Sequence, residues 1–301
     1  MKRVLLTCAS VVSFVLCPLA ARAQMPEAVG VRAQGMGGAF VAVADDATAT
    51  WWNPAGLATG AYFNALLEFD QPNTPSNADV RAVAIALPSL GLSYYRLPIS
   101  DMRAGAPVGS DPNSRQDQGY LNQFGITVGQ SIGNHLVVSS TVKLVHAGDT
   151  QADLDLGAMV RAGRLRFAIV MKNLRQPTFG EGADALSLKR QSRVGAAYIS
   201  GPHGMLDEFA VAADGDLATV PTALGDARHI AAGAEAWMIH RTLGLRGGVS
   251  ANTVTDQGSA SGGASVLLQS GRYLRTYVEG QLTRGSDESR RGWSAGLRLT
   301  F

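Results

Sequence analysis

From residue 61 to the end, the chain alternates apolar and polar residues with a period of two. In Trp293 to Phe301, the residues Trp293, Ala295, Leu297, Leu299 and Phe301 fall on one face, and Ser294, Gly296, Arg298 and Thr300 fall on the other. Leu165, Phe167, Ile169 and Met171 alternate with Arg166, Ala168, Val170 and Lys172. Leu274, Thr276, Val278 and Leu282 oppose Tyr273, Arg275, Tyr277, Glu279 and Gln281, and Leu136, Val138, Val142 and Leu144 share a face opposite Lys143. This periodicity predicts about fourteen strands, near 61–70, 79–88, 90–98, 119–130, 134–147, 151–161, 164–173, 189–199, 207–217, 228–237, 240–250, 258–269, 271–282 and 291–301.

The connections alternate in length. Tight turns are expected at 88–91, 132–134, 162–163, 238–239 and 270–271. Longer polar loops are expected at 71–78, 99–118, 174–188 and 218–227, with shorter members near 148–150, 251–257 and 283–290. Residues 200–206 are long for a tight turn. Long loops alternating with tight turns predict an all-β fold, a transmembrane antiparallel β-barrel of about fourteen strands, integral to a bacterial outer membrane with both termini periplasmic. A soluble sandwich or propeller is disfavoured by the length and uniform amphipathicity of the strands and by the lack of a blade-like repeat. Trp293 and the terminal Phe301 resemble the closing signal of outer-membrane barrels. No mature stretch reaches the roughly 18 apolar residues that a membrane helix needs, but a membrane strand needs only about 9–11.

The N-terminus sets the expected compartment. Lys2 and Arg3 precede an apolar run, and Ala21-Arg22-Ala23 is a small-x-small cleavage signal, so residues 1–23 read as a signal peptide. Cys8 and Cys17 both fall inside it. The mature chain is then without cysteine, which excludes disulfide scaffolds, thiolate metal sites and cysteine nucleophiles. A formal net charge of +2 argues against a nucleic-acid partner. With 35 Gly and only 17% charged residues, the composition suits strands and turns rather than helices.

Residues 24–60 do not read as barrel strand. Gly35-Met36-Gly37-Gly38 opens a run of small apolar residues that passes through Asp45-Asp46 to Trp51-Trp52 and ends in Asn53-Pro54-Ala55-Gly56, which is turn chemistry. The pattern R-x-x-G-M-G-G-A-F-V-A-V-A-D-D-A followed by W-N-P-A-G-L resembles the start of the FadL-type outer-membrane transporter superfamily, most closely its PorV/PorQ-like branch. Lys172-Asn173-Leu174, Arg193 to Tyr198 and Gly233-Ala234-Glu235 are similar to later fragments. The resemblance implies a fourteen-stranded barrel at 61–301 with residues 24–60 folded into the lumen as a hatch. It implies passive transport of a hydrophobic molecule or, in the PorV-like alternative, a non-transporting scaffold for protein secretion or surface attachment. Outer-membrane lipid, a hydrophobic ligand and secretion-machinery proteins are the partners to consider.

No cofactor, metal site or enzymatic activity is expected. His135, His146, His203, His229 and His240 do not pair at metal-ligand spacing. Gly35-Met36-Gly37-Gly38 lacks the ending of a phosphate loop. Asp45-Asp46 reads as a turn and hydrogen-bonding device rather than a catalytic or metal pair. By strand parity, Arg166, Asp214, Glu235, Arg246, Arg275, Glu279 and Arg298 point into the lumen, together with Lys143, Asp153, Asp155, Lys172 and Asp216. Their mixed signs favour a salt-bridged interior, with a selective solute path as the alternative. Trp51 and Trp52 read as hatch anchors, because adjacent residues of an extended segment point opposite ways.

Overall fold

The computed structural model describes residues 22–23, 29–72, 80–99, 119–180, 185–222, 225–254, 257–271, 273–286 and 291–301. Fourteen strands close into one barrel. In chain order they are β1 (Asn64–Pro72), β2 (Val80–Leu87), β3 (Leu90–Pro98), β4 (Tyr120–Ile132), β5 (Leu136–Ala147), β6 (Asp149–Ala162), β7 (Leu165–Lys172), β8 (Gln191–Ile199), β9 (Leu206–Asp216), β10 (His229–Met238), β11 (Leu243–Asn252), β12 (Gln257–Ser270), β13 (Arg275–Gly285) and β14 (Gly292–Thr300). Each strand pairs antiparallel with its sequence neighbours, and β14 closes the ring on β1 through pairs such as Leu297↔Leu67. Phe63 and Phe301 extend this seam by exchanging backbone hydrogen bonds of 3.2 and 3.0 Å. Closure gives every strand a neighbour on each side.

All fourteen expected strands are present. The largest discrepancy is β13, expected at 271–282 and found at Arg275–Gly285. The parity is as read. Val278, Leu282, Trp293 and Leu297 face outward, while Tyr277, Glu279, Gln281 and Arg298 are buried. The outer wall is an apolar belt in which Leu67, Ile85, Phe124, Val142, Phe167 and Val249 are among the exposed large side chains. No helix among the described residues is long and apolar enough to cross a membrane, and the strands alone carry this belt.

The alternation of loop lengths holds for the first four connections and weakens after them: at the short-turn end the β8–β9 connection has six residues, against four for β11–β12 at the long-connection end. The β5–β6 connection, expected near 148–150, is a single-residue corner at Gly148 (φ 94°), although it lies at the long-connection end. Phe301, Tyr62 and Tyr273 cluster at the short-turn end, with ring centroids 5.9 and 6.1 Å apart. At the opposite end, Arg22–Ala23 pairs in parallel with Leu186–Leu188, inside the connection between β7 and β8. The expected loop sites near 71–78 and 99–118 fall mostly outside the described residues.

Between β6 and β7 the wall has a gap in its ladder, a second seam. The β6–β7 ladder ends at Leu156↔Met171, so the upper half of β6 has no strand on that side. The turn after β7 covers this edge. Leu174 N donates to Leu154 O at 3.1 Å, Asn173 N to Asp155 Oδ1 at 2.8 Å and Arg175 N to Asp153 Oδ1 at 3.0 Å. Lys143 Nζ reaches the same two carboxylates at 3.0 and 2.7 Å, and Asn173 Oδ1 at 2.9 Å. This buried cation with its partners stands where backbone pairing would otherwise run.

Candidate functional site: the segment inside the barrel

Residues 29–60 lie inside the barrel. They are compact rather than extended: a short helix α1 (Val31–Gly35), a second α2 (Ala49–Trp52) and a 3-10 helix (Pro54–Thr59). Val29, Val31, Ala33, Met36, Phe40 and Val43 are fully buried. A chain folded into a lumen must satisfy its backbone polar groups there, and inward side chains of the wall supply acceptors. Glu68 of β1 accepts from Gly30 N and Val31 N, both at 2.8 Å. Asp214 of β9 accepts from Phe40 N at 2.6 Å and Val41 N at 2.7 Å. Asn64 accepts from Ala47 N at 3.0 Å.

The centre of the site is Arg32. Its Nε donates to both oxygens of Glu235, at 2.8 and 2.9 Å, and Nη1 reaches Asp46 at 3.2 Å and also Asp45. Burial penalises this charge, but Asp45, Glu235 and Asp46 together hold its pKa well above the ordinary arginine value. The ion pairs continue through the wall: Glu235 with Arg246 (3.6 Å), Arg246 with Glu279 (3.9 Å), and Glu279 with Arg298 (2.9 Å). Arg298 then lies over the rings of Tyr277 and Trp237, at 4.8 and 5.4 Å. Five of the seven expected lumen charges therefore meet the segment or its network. Arg166 is 3.9 Å from Asp45 and makes the sixth. Arg275 is at the short-turn rim, half-exposed, donating to His240 O at 3.5 Å. The segment is thus held directly through Arg32 and Glu235, while Glu279 joins at one remove and Arg275 does not reach it.

The N-terminal motif residues divide by role. Gly37 and Gly38 take positive φ (69° and 82°), which a side chain resists. Met36 packs against the wall where Gly233 and Gly248 lack side chains; a Cβ on Gly233 would stand 2.9 Å from the Met36 Cβ. Gly35 sits against the Arg246 stem. Asp46 is the expected turn device, accepting from Thr48 N at 2.9 Å, but it doubles as an Arg32 partner. Asn53 Oδ1 accepts from Ala55 N at 3.1 Å, and its Nδ2 donates to Val41 O at 2.9 Å. Pro54 starts the 3-10 helix, where its missing N–H costs nothing. Gly56 serves this turn by its lack of a side chain, since a Cβ would strike the Ala44 carbonyl.

Trp51 and Trp52 correct the assumption of an extended backbone. They lie in a helical turn, so their side chains diverge less than in a strand. Trp51 meets Tyr95 of β3 edge-on at 5.1 Å, and Trp52 meets Phe40 at 6.2 Å and donates Nε1 to Val29 O at 2.8 Å. Lys172 lies over both rings, at 4.5 and 5.6 Å. Both indoles anchor the segment. Above them, Leu97, Leu121 and Val145 point inward beside Phe179, Leu186 and Leu188, all buried.

Arg32, Glu68, Asn64 and the wall glycines were not singled out from the sequence. Glu68 carries a legible signal, since Leu67 and Phe69 fix its parity as inward. Arg32 carries none beyond its place in the motif. Among the described residues no cluster of metal-ligating side chains occurs.

A closed fourteen-stranded barrel with its own N-terminal segment docked in the lumen defines a plugged barrel. Its architecture is shared with known structures over nearly the whole chain. The CymD monoaromatic hydrocarbon channel superposes with a TM-score of 0.57 at 12% identity, covering 91% of this chain and 98% of that one. A FadL homologue from Pseudomonas aeruginosa gives 0.58 at 10% identity, covering 93% and 99%. The toluene transporter TodX of Pseudomonas putida gives 0.53 at 11% identity, covering 93% and 98%. At these identities the likeness is one of fold. No protein-family model and no curated protein matches the sequence.

Proposed function

We propose that this chain is an outer-membrane barrel of the FadL type that passes a hydrophobic molecule passively, with residues 24–60 as its hatch and residues 1–23 as a signal peptide. The observation that carries the reading is the lumen lining at the long-connection end. Leu97, Leu121, Val145, Phe179, Leu186 and Leu188 make that region apolar, down to Trp51 on the hatch. A channel for hydrophilic solutes would present polar side chains there. The long connections face outward in this orientation, and the short turns with Phe301 face the periplasm. The hydrocarbon and toluene specificities of the structural neighbours make a monoaromatic hydrocarbon a suitable first probe.

The scaffold alternative draws on the close packing of the hatch, whose core has no exposed apolar surface. Uptake distinguishes the two. Cells lacking the protein are complemented with it and given radiolabelled toluene, a long-chain fatty acid and a hydrophilic sugar. Faster uptake of a hydrophobic probe alone supports transport. Unchanged uptake of all three, with a co-purifying envelope protein in native mass spectrometry, supports the scaffold.

A further inference from the structure

The apolar lining above the hatch ends on a polar row. In the register of β3 to β5, Leu97 stands opposite Leu121; two residues lower, Tyr95 stands opposite Gln123 and Gln123 opposite Val145. Tyr95, Gln123 and Val145 are each at most 1% exposed. Gln123 faces the lumen, and its Oε1 has no hydrogen-bond partner among the described residues. Buried amides are ordinarily satisfied, so an unpaired one at the foot of an apolar passage points to a partner from outside the chain.

Tyr95 supplies the other half of the site. Its hydroxyl is 2.6 Å from Thr50 Oγ1 on the hatch, and Thr50 Oγ1 donates its one proton to Ala47 O at 2.9 Å. Tyr95 is therefore the donor between the two hydroxyls, since Thr50 has only lone pairs left to offer. A hatch that parts from β3 leaves this donor without an acceptor. The hatch also does not press on the wall here as it does elsewhere. Gly91 is filled by Thr50 and Leu57, Gly157 by Asn53 and Pro54, and Gly248 by Met36. Gly125, two residues below Gln123, has no atom of residues 29–60 within 4 Å of where a Cβ would stand; the atoms such a Cβ would meet, Ser93 Oγ and Thr141 Cγ2, belong to the wall.

We infer that Tyr95 and Gln123 select for the hydroxyl group of a hydrophobic cargo, a phenol or an alcohol. The site rests on the transport reading proposed above. The cargo oxygen accepts from Tyr95 Oη in place of Thr50, and the cargo O–H donates to Gln123 Oε1. A hydroxyl both donates and accepts, so one such group completes both residues. A hydrocarbon leaves both unpaired in an apolar lumen, and an ionised carboxylate brings no proton for Gln123. The apolar body of the cargo rests against Leu97, Leu121 and Val145, with Trp51 beneath.

Radiolabelled p-cresol and p-xylene test this, since they differ by one hydroxyl in place of one methyl. Uptake is measured in cells lacking the protein and in cells complemented with wild type or Gln123→Leu, and the background is subtracted. Gln123→Leu nearly keeps the side-chain size and removes an unpaired buried amide, so the barrel is expected to fold, which heat-modifiable migration on gels checks. The ratio of p-cresol to p-xylene uptake is expected to fall about tenfold in the variant, the effect of one hydrogen bond whose other partner stays buried. An unchanged ratio overturns the proposal, because a merely structural role moves both rates equally. Wild-type uptake of p-xylene alone overturns it too. If Gln123→Leu does not fold, Tyr95→Phe replaces it, with a lowered ratio expected and an unchanged one refuting. Protein-dependent uptake of neither probe would sink the transport reading and this site with it; protein-dependent uptake of both, with a ratio indifferent to Gln123, would sink this site alone.

Discussion

Replacing Arg32 by Met should unlock the hatch while leaving the barrel folded. The Arg32 side chain is 3% exposed and serves Glu235, Asp45 and Asp46 at once. After its removal, Glu235 keeps Arg246 at 3.6 Å and Asp45 keeps Arg166 only at 3.9 Å. Removing one member of a buried ion pair costs about 3–5 kcal/mol, because the partner charge stays buried without compensation. No strand pairing depends on Arg32, so this cost falls on the docked state of the hatch. At about 1.4 kcal/mol per factor of ten, docking weakens roughly a hundred- to several-thousand-fold. Planar-bilayer conductance should rise, and amides of residues 30–57 should exchange faster, while strand amides keep their protection. Adding Glu235→Gln should recover part of the docking, because it removes the stranded carboxylate. Wild-type conductance and exchange in Arg32→Met would refute the reasoning. Glu68, Asp214 and Asn64, through their backbone bonds, would then be the true anchors.

Gly248→Val should raise conductance through its clash with Met36, whereas Gly247→Val, on the outward face with only Ser261 O near at 3.8 Å, should behave as wild type; bilayer recording of both checks this. Leu297→Arg should block insertion into lipid vesicles, since a charge on the lipid face costs about 2–4 kcal/mol at mid-bilayer. Arg298→Leu should still insert, but its hatch should loosen because Glu279 loses its partner at 2.9 Å; a gel-shift folding assay with exchange measurements separates the two. Cysteines at Asp149 and Asn134, both exposed and at opposite ends of the barrel, should label differently on intact cells: the first readily, the second only after the outer membrane is broken.

Strands were legible because each needs only a local period of two, and the wall enforces it on both sides. Val278 faces outward and Glu279 faces the lumen, so neighbouring residues betray each other's orientation. The hatch is different in kind. Its conformation is set by what it touches, and those partners are distant: Arg32 and Glu235 lie 203 residues apart. Nothing local separates an Arg that anchors from one that solvates. The same holds for Gly233 and Gly248, whose missing side chains matter only because Met36 arrives from elsewhere. Trp51-Trp52 was misread as extended because a single turn of helix is too short for a 3.6-residue period to show. Arg275 shares parity with Glu279, but parity says nothing of height, and it stands at the rim.

The anchoring of the hatch is unequal around the barrel, and this limits how it can move. Toward β10–β14 it is held by the ion pairs of Arg32, Glu235 and Arg246, whose separation would strand charges in the lumen. Toward β3 its contacts are of another kind: Thr50 and Leu57 against Gly91, Trp51 against Tyr95, and the 2.6 Å contact between the Thr50 and Tyr95 hydroxyls. Parting apolar surfaces costs about 25 cal/mol per Å², and an apolar cargo entering the gap offsets that cost. It offers nothing to a stranded ion pair. If the proposed transport function holds, a hydrophobic solute descending past Leu97 and Leu121 meets the side of the hatch whose apolar contacts it can itself replace, with the single Thr50–Tyr95 hydroxyl bond to break. On that proposal the hatch need not leave the barrel for passage: the charged side acts as the hinge while the apolar side parts around the cargo.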